Sequence, residues 1–422
     1  MTNEKPWWVK QRRFAIPSIL RDRIEGLPEE ERLFYCYIVN KVRYETRKDP
    51  TQFEGISSTY FQNFIGSRYR RYIEQLRDWR IIEIFASSGV EHYLNAEGHG
   101  FPKAYRLHRS AIEAPKVKVR FKKKQAQPLK DDSELTDEVT EFVLANCKRI
   151  GVKADLVTQA NDTDEVDAEH FAERLYWGQF NVRYGGEVSR MFHTIIEMRS
   201  TARANLVFKE DPAVHLCEYD VKSCHPVLLL QIMEDEKEKA DLMELLSGDF
   251  YSTVANECGE ARERDTIKLD FLKFANGRTR NYFHRYFTNH FPRLTKHLDE
   301  HKDGVAAFGQ NAEAVILVSD VPRWLMDSAG RAEPTGSSNL KPSKSSLTSW
   351  GNPGSAFYIP MHDGWLGIER DELRIAKYVR DRFFEYTRFW VTITKKDLAT
   401  GNEAILLDRA PVHAVERMPR HR

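Results

Sequence analysis

The sequence predicts an α+β protein in which a small, mostly helical amino-terminal domain precedes a larger part built on an antiparallel sheet. Three observations predict it. His215–Met233 reads as a short strand that ends in a sharp turn and passes into a helix; Val214, Leu216, Tyr219 and Val221 carry the strand propensity, and Pro226 is placed at the first helical position, where its missing N–H would be unpaired anyway. Phe357–Ile368 sets Asp363-Gly364 between two apolar runs, a strong short-range hairpin signal, and Pro360 marks the first strand as short or partly unpaired. Ahead of both, three amphipathic helical patterns are followed by two strand-like runs.

Length and composition set the bounds. The chain has 422 residues, 41% of them hydrophobic, enough for two or three domains with sizeable cores. Its 64 basic and 63 acidic residues nearly cancel, so any nucleic-acid surface has to come from local clustering. Five scattered cysteines without a CxxC pair argue against a zinc site or a disulfide framework and suit a reducing cytoplasm. No apolar run approaches the ~18 residues of a membrane span, and MTNEKPWWVKQRR lacks the apolar core of a signal peptide. A cytoplasmic protein with no membrane partner is expected.

Residues 1–112 read as a separate domain. Pro28–Arg47 is a helical pattern with Leu33, Tyr37, Val39 and Val42 among its apolar positions, Ser58–Ile65 is a second, Gly66 a break and Ser67–Trp79 a third. Ile81–Phe85 and Tyr105–Leu107 then read as strands. Three helices and a two-stranded wing resemble a winged helix, which implies that the third helix enters the major groove of DNA. On that helix Tyr69, Ile73 and Leu76 pack inward, while Arg68, Arg70, Arg71 and Arg77 are candidates for phosphates or base edges. A solvated basic helix in a protein-interaction module is the rival reading.

Residues 113–134 form an expected basic linker, with Lys122, Lys123 and Lys124 central to a cationic run that either lies against phosphates or keeps the chain soluble. Residues 135–205 are mostly helical in pattern and carry Arg190, Arg199 and Arg203 near their end. Glu234–Leu246 reads as a charged helix, and the aromatics of Asn281–Pro292 suit a core better than a stacking surface. Gln310–Leu325 is expected as a core helix, Ser328–Ser355 as a loop, Asp371–Tyr386 as an amphipathic helix and Trp390–Thr394 as the final strand.

The chemistry gathers in three segments. Asp220 ends the first strand, and Asp363 sits at the hairpin tip with His362 beside it. Brought together, two such carboxylates hold two Mg²⁺ ions roughly 3.5–4 Å apart, which activate an attacking hydroxyl and stabilise a leaving pyrophosphate. Between them, a helix over Arg264–Gly277 places Arg264, Lys268, Leu272 and Asn276 on one slowly drifting stripe, with Ile267, Phe271 and Phe274 toward a core. Two cations, an apolar platform and a small polar group suit a nucleotide. Singly, each feature has a plain explanation: a helix cap, a hairpin turn, a solvated face. Their joint order carries the reading.

That order and spacing resemble the palm-and-fingers motifs of A-family DNA polymerases and of phage-type single-subunit RNA polymerases, over about residues 185–380. The resemblance implies that Asp220 is the first metal-binding aspartate, with the backbone carbonyl of Val221 a further ligand. It implies that Arg264-x3-Lys268-x7-Asn276-Gly277 is the nucleotide helix, whose family pattern is Arg-x3-Lys-x7-Tyr-Gly, and that in His362-Asp363 the Asp binds metal and the His lies near the primer end. Gln310-Asn311-Ala312 is similar to the polar helix that contacts the template–primer pair, and the stretch with Arg190 to the one that contacts its minor groove. A palm over 206–422 with fingers inserted at about 235–330, a reduced helical thumb at 135–205, two Mg²⁺ ions, dNTP or NTP substrates, and template–primer or origin DNA as partner all follow from the resemblance. Two positions depart from it. His225 stands where the DNA polymerases place a Glu that obstructs a ribose 2′-OH and the RNA polymerases a Gly, and Asn276 replaces the Tyr beneath the sugar. The run Ser223–Pro226, SCHP, is closer to small polymerase-like proteins of phages and mobile elements.

The resulting expectation is a template-directed nucleotidyltransferase, first of all a DNA polymerase of phage, plasmid or mobile-element replication. A primase or small RNA polymerase, and a non-catalytic replication initiator that binds DNA, are the alternatives.

Overall fold

In the computed structural model the described residues are 12–87, 90–91, 95–96, 99–100, 103–121, 133–153, 162–185, 190–211, 213–275, 280–300, 314–330 and 356–408. They form a mixed α+β architecture whose sheets are small and antiparallel. The chain divides into two compact units: Met1–Ser133, Cys147–Asn181 and His193–Ala213 in one, and Glu134–Asn146, Val182–Phe192 and Val214–Arg422 in the other. Residues 135–205 are thus shared between the two.

The first unit contains the three helices that the sequence predicts, at Glu29–Glu45, Ser58–Ile65 and Tyr69–Asp78. Ser57 caps the second, its Oγ accepting the N–H of Thr59 at 3.3 Å, and Gly66 ends it in the left-handed region at φ 73°. The third buries Tyr69, Tyr72, Ile73 and Leu76 and leaves Arg70, Arg71 and Arg77 exposed; Arg68, in the 3₁₀ turn just before it, is exposed as well. Beside these helices, Ala104–Leu107 pairs with Glu54–Gly55 on one side and Ile82–Ile84 on the other.

The cationic run does not begin as a linker. Lys116–Phe121 is a strand paired with Arg12–Pro17, because Val117, Val119 and Phe121 alternate with Lys116, Lys118 and Arg120. Phe121 is buried against Phe14, with ring centroids 5.8 Å apart, and the three cations face outward. A lysine-rich composition conceals a period of two. Lys122, Lys123 and Lys124 lie outside the described residues.

The helix Asp162–Trp177 packs on Glu29–Glu45 through buried ion pairs. Arg43 reaches Glu169 at 3.3 Å, and Asp167, fully buried, pairs with both Arg47 and Arg199, the latter at 2.8 Å. Buried acids are tolerated here because each has a cation.

The second unit is organised on a five-stranded antiparallel sheet in the order Tyr358–Pro360, Gly364–Ile368, Leu216–Val221, Ile393–Asp397, Glu403–Leu407. Pro360 ends a three-residue edge strand, as its missing donor requires. Leu216–Val221 alternates: Cys217, Tyr219 and Val221 are buried, whereas Glu218 and Asp220 are half-buried toward the other face. On the buried side Tyr219 stacks on Trp365 with centroids 4.9 Å apart and donates to Glu372 at 2.8 Å, on the helix Glu369–Thr387.

Four expectations shift. Pro226 is the third residue of the helix Cys224–Leu228, not the first; the first-turn N–H groups have no intrahelical partner, so proline fits there equally well. The strand expected at Trp390–Thr394 runs instead over Ile393–Asp397, where Lys395 is held by Glu372 at 2.7 Å, and it continues into an unforeseen partner, Glu403–Leu407. Within Gln310–Leu325, residues Ala314–Asp320 are π-helical before the α-helix Val321–Gly330, and Gln310 lies outside the described residues. That helix also takes in Ser328–Gly330, where a loop is expected, and 331–355 lie outside the described residues. The aromatics of Asn281–Pro292 are core: Phe283, Phe287 and Phe291 are buried with Phe250, Phe271 and Phe274. Among the described residues no helix is long and apolar enough to cross a membrane.

Candidate active site

The site forms where the central strand and the hairpin meet. Met361 donates to the carbonyl of Gly364 at 2.9 Å, closing a turn that carries Asp363 at its tip. Asp220 is paired in register with Gly364, and Val221 donates its N–H to the carbonyl of Asp363 at 2.9 Å. The approach needs glycine: a Cβ at Gly364 would lie 1.7 Å from the carbonyl oxygen of Tyr219. The two carboxylates are thereby brought into hydrogen-bond contact.

A third segment completes the cleft. Arg264–Ala275 is a helix whose Ile267, Phe271 and Phe274 are buried, which turns Lys268 toward the hairpin. Its Nζ lies 3.2 Å from Asp363 Oδ2. Arg264, one turn earlier, is exposed and lies 3.5 Å from Asp249. Together with His225, Tyr251, Thr394, Glu403 and others, these residues line an open cleft of about 630 Å³. Ser223, at its edge, holds the left-handed region at φ 56°, a conformation that side chains disfavour and that concentrates at functional sites.

Electrostatics differentiate the pair. Burial, then the neighbouring Asp363, holds the Asp220 carboxyl well above the usual range. Burial pushes Asp363 the same way, but Lys268, the hydrogen bond to Asp220 and His225 outweigh it and keep Asp363 below that range. Burial tends to lower Lys268, yet Asp363 and Asp220 hold it above its usual value, so it stays a cation. Burial and the neighbouring acid thus favour a proton on Asp220, and a divalent cation would relieve the repulsion that favours it. The donor set fits Mg²⁺, a hard ion that takes carboxylate oxygens and retains several waters. Among the described residues there is no group of three or more His, Cys, Asp or Glu poised to hold a metal.

Of the residues that the sequence singles out, Asp220, Asp363, Lys268, Arg264 and His225 come together, with Val221 directly beside them. Leu272 is half-buried one turn past Lys268 and does not line the cleft; His362 is exposed on the turn and does not line it either. Asn276 and the side chain of Arg190 lie outside the described residues. Tyr251, Thr394 and Glu403 are additions. Tyr251 follows Gly248-Asp249-Phe250 with no periodic cue of its own, and Glu403 arrives on the unforeseen last strand. No known family model matches the chain, and no curated protein does.

Proposed function

We propose that this chain is a template-directed nucleotidyltransferase, with the sheet of its second unit as a palm and the helices inserted after Val221 as fingers. The observation that carries the reading is the contact between Asp220 and Asp363, delivered from distant parts of the chain into one cleft with Lys268 and Arg264. Asp220, Asp363 and the carbonyl of Val221 are the groups that would hold Mg²⁺. When bound, the ion supplies Lewis acidity that activates a hydroxyl and stabilises a departing pyrophosphate. Lys268 and Arg264 neutralise the triphosphate, and His225 lines the sugar side. Leu272 lies on the same helix, one turn past Lys268. Positioning and charge neutralisation account for most of what phosphoryl transfer asks of a protein.

In the first unit, the three helices and their sheet make up a winged helix. Its third helix presents Arg70, Arg71 and Arg77, with Arg68 at its start, to DNA, and the outward cations of Lys116–Phe121 add to the basic surface. Replication of a phage, plasmid or other mobile element is the setting.

The test is incorporation of labelled dNTPs, and separately NTPs, with Mg²⁺ on primed and single-stranded DNA, beside an Asp363→Asn control. Product from dNTPs on primed template alone identifies a DNA polymerase, and product without primer a primase. No product above the control on any template returns the chain to a DNA-binding initiator without catalysis.

A further inference from the structure

The two-stranded ribbon of Arg12–Pro17 and Lys116–Phe121 has two unlike faces. Residues paired across it share a face, so Phe14 with Val119 and Ile16 with Val117 turn to the core. Lys116, Lys118 and Arg120 alternate with them, opposite Pro17, Ala15 and Arg13 in register, and turn the other way. Ala15 and Pro17 are buried, whereas the three cations are exposed. Neither strand contains an acid. Like charges at neighbouring positions of one face repel, and a negatively charged partner laid along them relieves that cost.

Spacing selects the partner. Alternate residues of a strand lie about 6.7 Å apart, the interval at which phosphates follow one another along an extended nucleic-acid strand, so three successive phosphates can meet three successive cations. A lipid surface is entered by apolar side chains set among cations, and here Val117, Val119 and Phe121 all pack against the core. Nor does the row extend the helix Tyr69–Asp78. That helix meets Phe34 and Tyr35 through Tyr72, at 5.4 and 5.0 Å, while Arg43 of the same helix as Phe34 donates to the ribbon at the carbonyl of Ala15, at 3.2 Å. Steps of about 100° per residue put Arg43 on the opposite side of its helix from Phe34. The ribbon and the helix Tyr69–Asp78 therefore flank Glu29–Glu45 from different sides, and a straight duplex on one does not run along the other.

We propose that Lys116, Lys118 and Arg120 hold the sugar–phosphate backbone of a single nucleic-acid strand, without reading its sequence and apart from any duplex on the helix Tyr69–Asp78. The inference rests on the nucleic-acid part of the proposed function and not on catalysis. Contacts of this kind carry affinity through counterion release, so salt dependence reports them directly.

The experiment follows fluorescence anisotropy of a labelled oligo-dT strand, and of a duplex of equal length, over a range of KCl, for the full chain and for its Lys116→Gln, Lys118→Gln, Arg120→Gln triple variant. The variant is expected to bind oligo-dT roughly tenfold or more weakly at low salt, with the slope of log affinity against log salt reduced by about 2, at about 0.7 for each phosphate contact. The duplex slope should hardly move, and the melting temperature should hold or rise at low salt because the like charges are gone. Each single substitution should remove about a third of that slope change, a check that does not need the triple variant to fold. An unchanged oligo-dT slope, an equal loss on duplex, or a wild type that binds duplex alone would each overturn the proposal. So would polyglutamate that displaces oligo-dT as readily as a second strand does. Self-association of the variant with strand binding intact would overturn it too, and would mark the cations as guards of a sheet edge. Strand binding that follows the row in a protein without synthesis upholds the proposal and removes the polymerase reading, whereas synthesis with an unaltered strand slope removes the proposal alone.

Discussion

The backbone N–H of Val221 donates to the carbonyl oxygen of Asp363 at 2.9 Å, so the strand that carries one carboxylate is fastened by main chain to the turn that carries the other. The spacing of the two residues along the sheet is thus set by main chain. Gly364 is the condition for this, because nothing larger passes the carbonyl of Tyr219.

Gly364→Ala is therefore expected to destabilise the protein by about 2–4 kcal/mol, since the new methyl meets backbone that cannot rotate away. Urea unfolding measures it, and Gly26→Ala, where nothing lies within 4 Å, is the control with a change of a few tenths of that.

Asp220 gives a pH-dependent prediction. Its carboxyl is pushed up to about 8 from the usual 3.8, by burial first and by Asp363 second. Between those values the folded state binds more protons than the unfolded chain, so stability from this group is fully present below about pH 4 and is lost as pH rises through about 8. Asp220→Asn cannot ionise and escapes the loss. In chelator it should melt several degrees above wild type at pH 8.5 and level with it near pH 4, and added Mg²⁺ should raise wild type alone.

In the first unit, Asp167→Ala removes the acid that Arg47 and Arg199 share. The largely buried Arg47 loses its acid, whereas Arg199 keeps its solvent contact, so the change is expected to cost about 1–3 kcal/mol, read by thermal or urea unfolding. Replacing exposed Glu113, which pairs with Arg109 at i,i+4 on the surface, should leave stability essentially unchanged.

Reversing Arg70 and Arg71 to Glu tests the DNA-binding role proposed for the helix Tyr69–Asp78. Affinity for duplex DNA should fall, and the slope of log affinity against log salt should decrease by about 2, while extension of a short primed template is retained. Equal loss of both activities would show that DNA binding and synthesis do not separate by unit.

Much of this was legible because local chemistry and tertiary structure agree. Ser58–Ile65 is bounded as its Ser57 cap and Gly66 dictate, and the Asp363-Gly364 turn forms where a β-period breaks at a glycine. The stripe on Arg264–Ala275 was readable because burial of Ile267, Phe271 and Phe274 fixes the opposite face. What stayed hidden depends on neighbours remote in sequence. Lys395 sits in a strand paired on both sides, its charge received by Glu372 and Glu369 at 2.7 and 3.2 Å, and Glu403 reaches the cleft on the neighbouring strand. Tyr251 follows Gly248-Asp249-Phe250 with no periodic cue, so its place in the cleft is visible only in three dimensions.

The bridge between Lys268 and Asp363 couples two arrivals. Each partner is committed to the other in the ligand-free chain, and in the proposed reading each has a second claimant: the acid a cation, the lysine a phosphate. Whichever ligand came first would break the bridge and leave the second partner free. The proposed function therefore carries the expectation that cation and nucleotide bind with positive cooperativity, by the same factor in both directions.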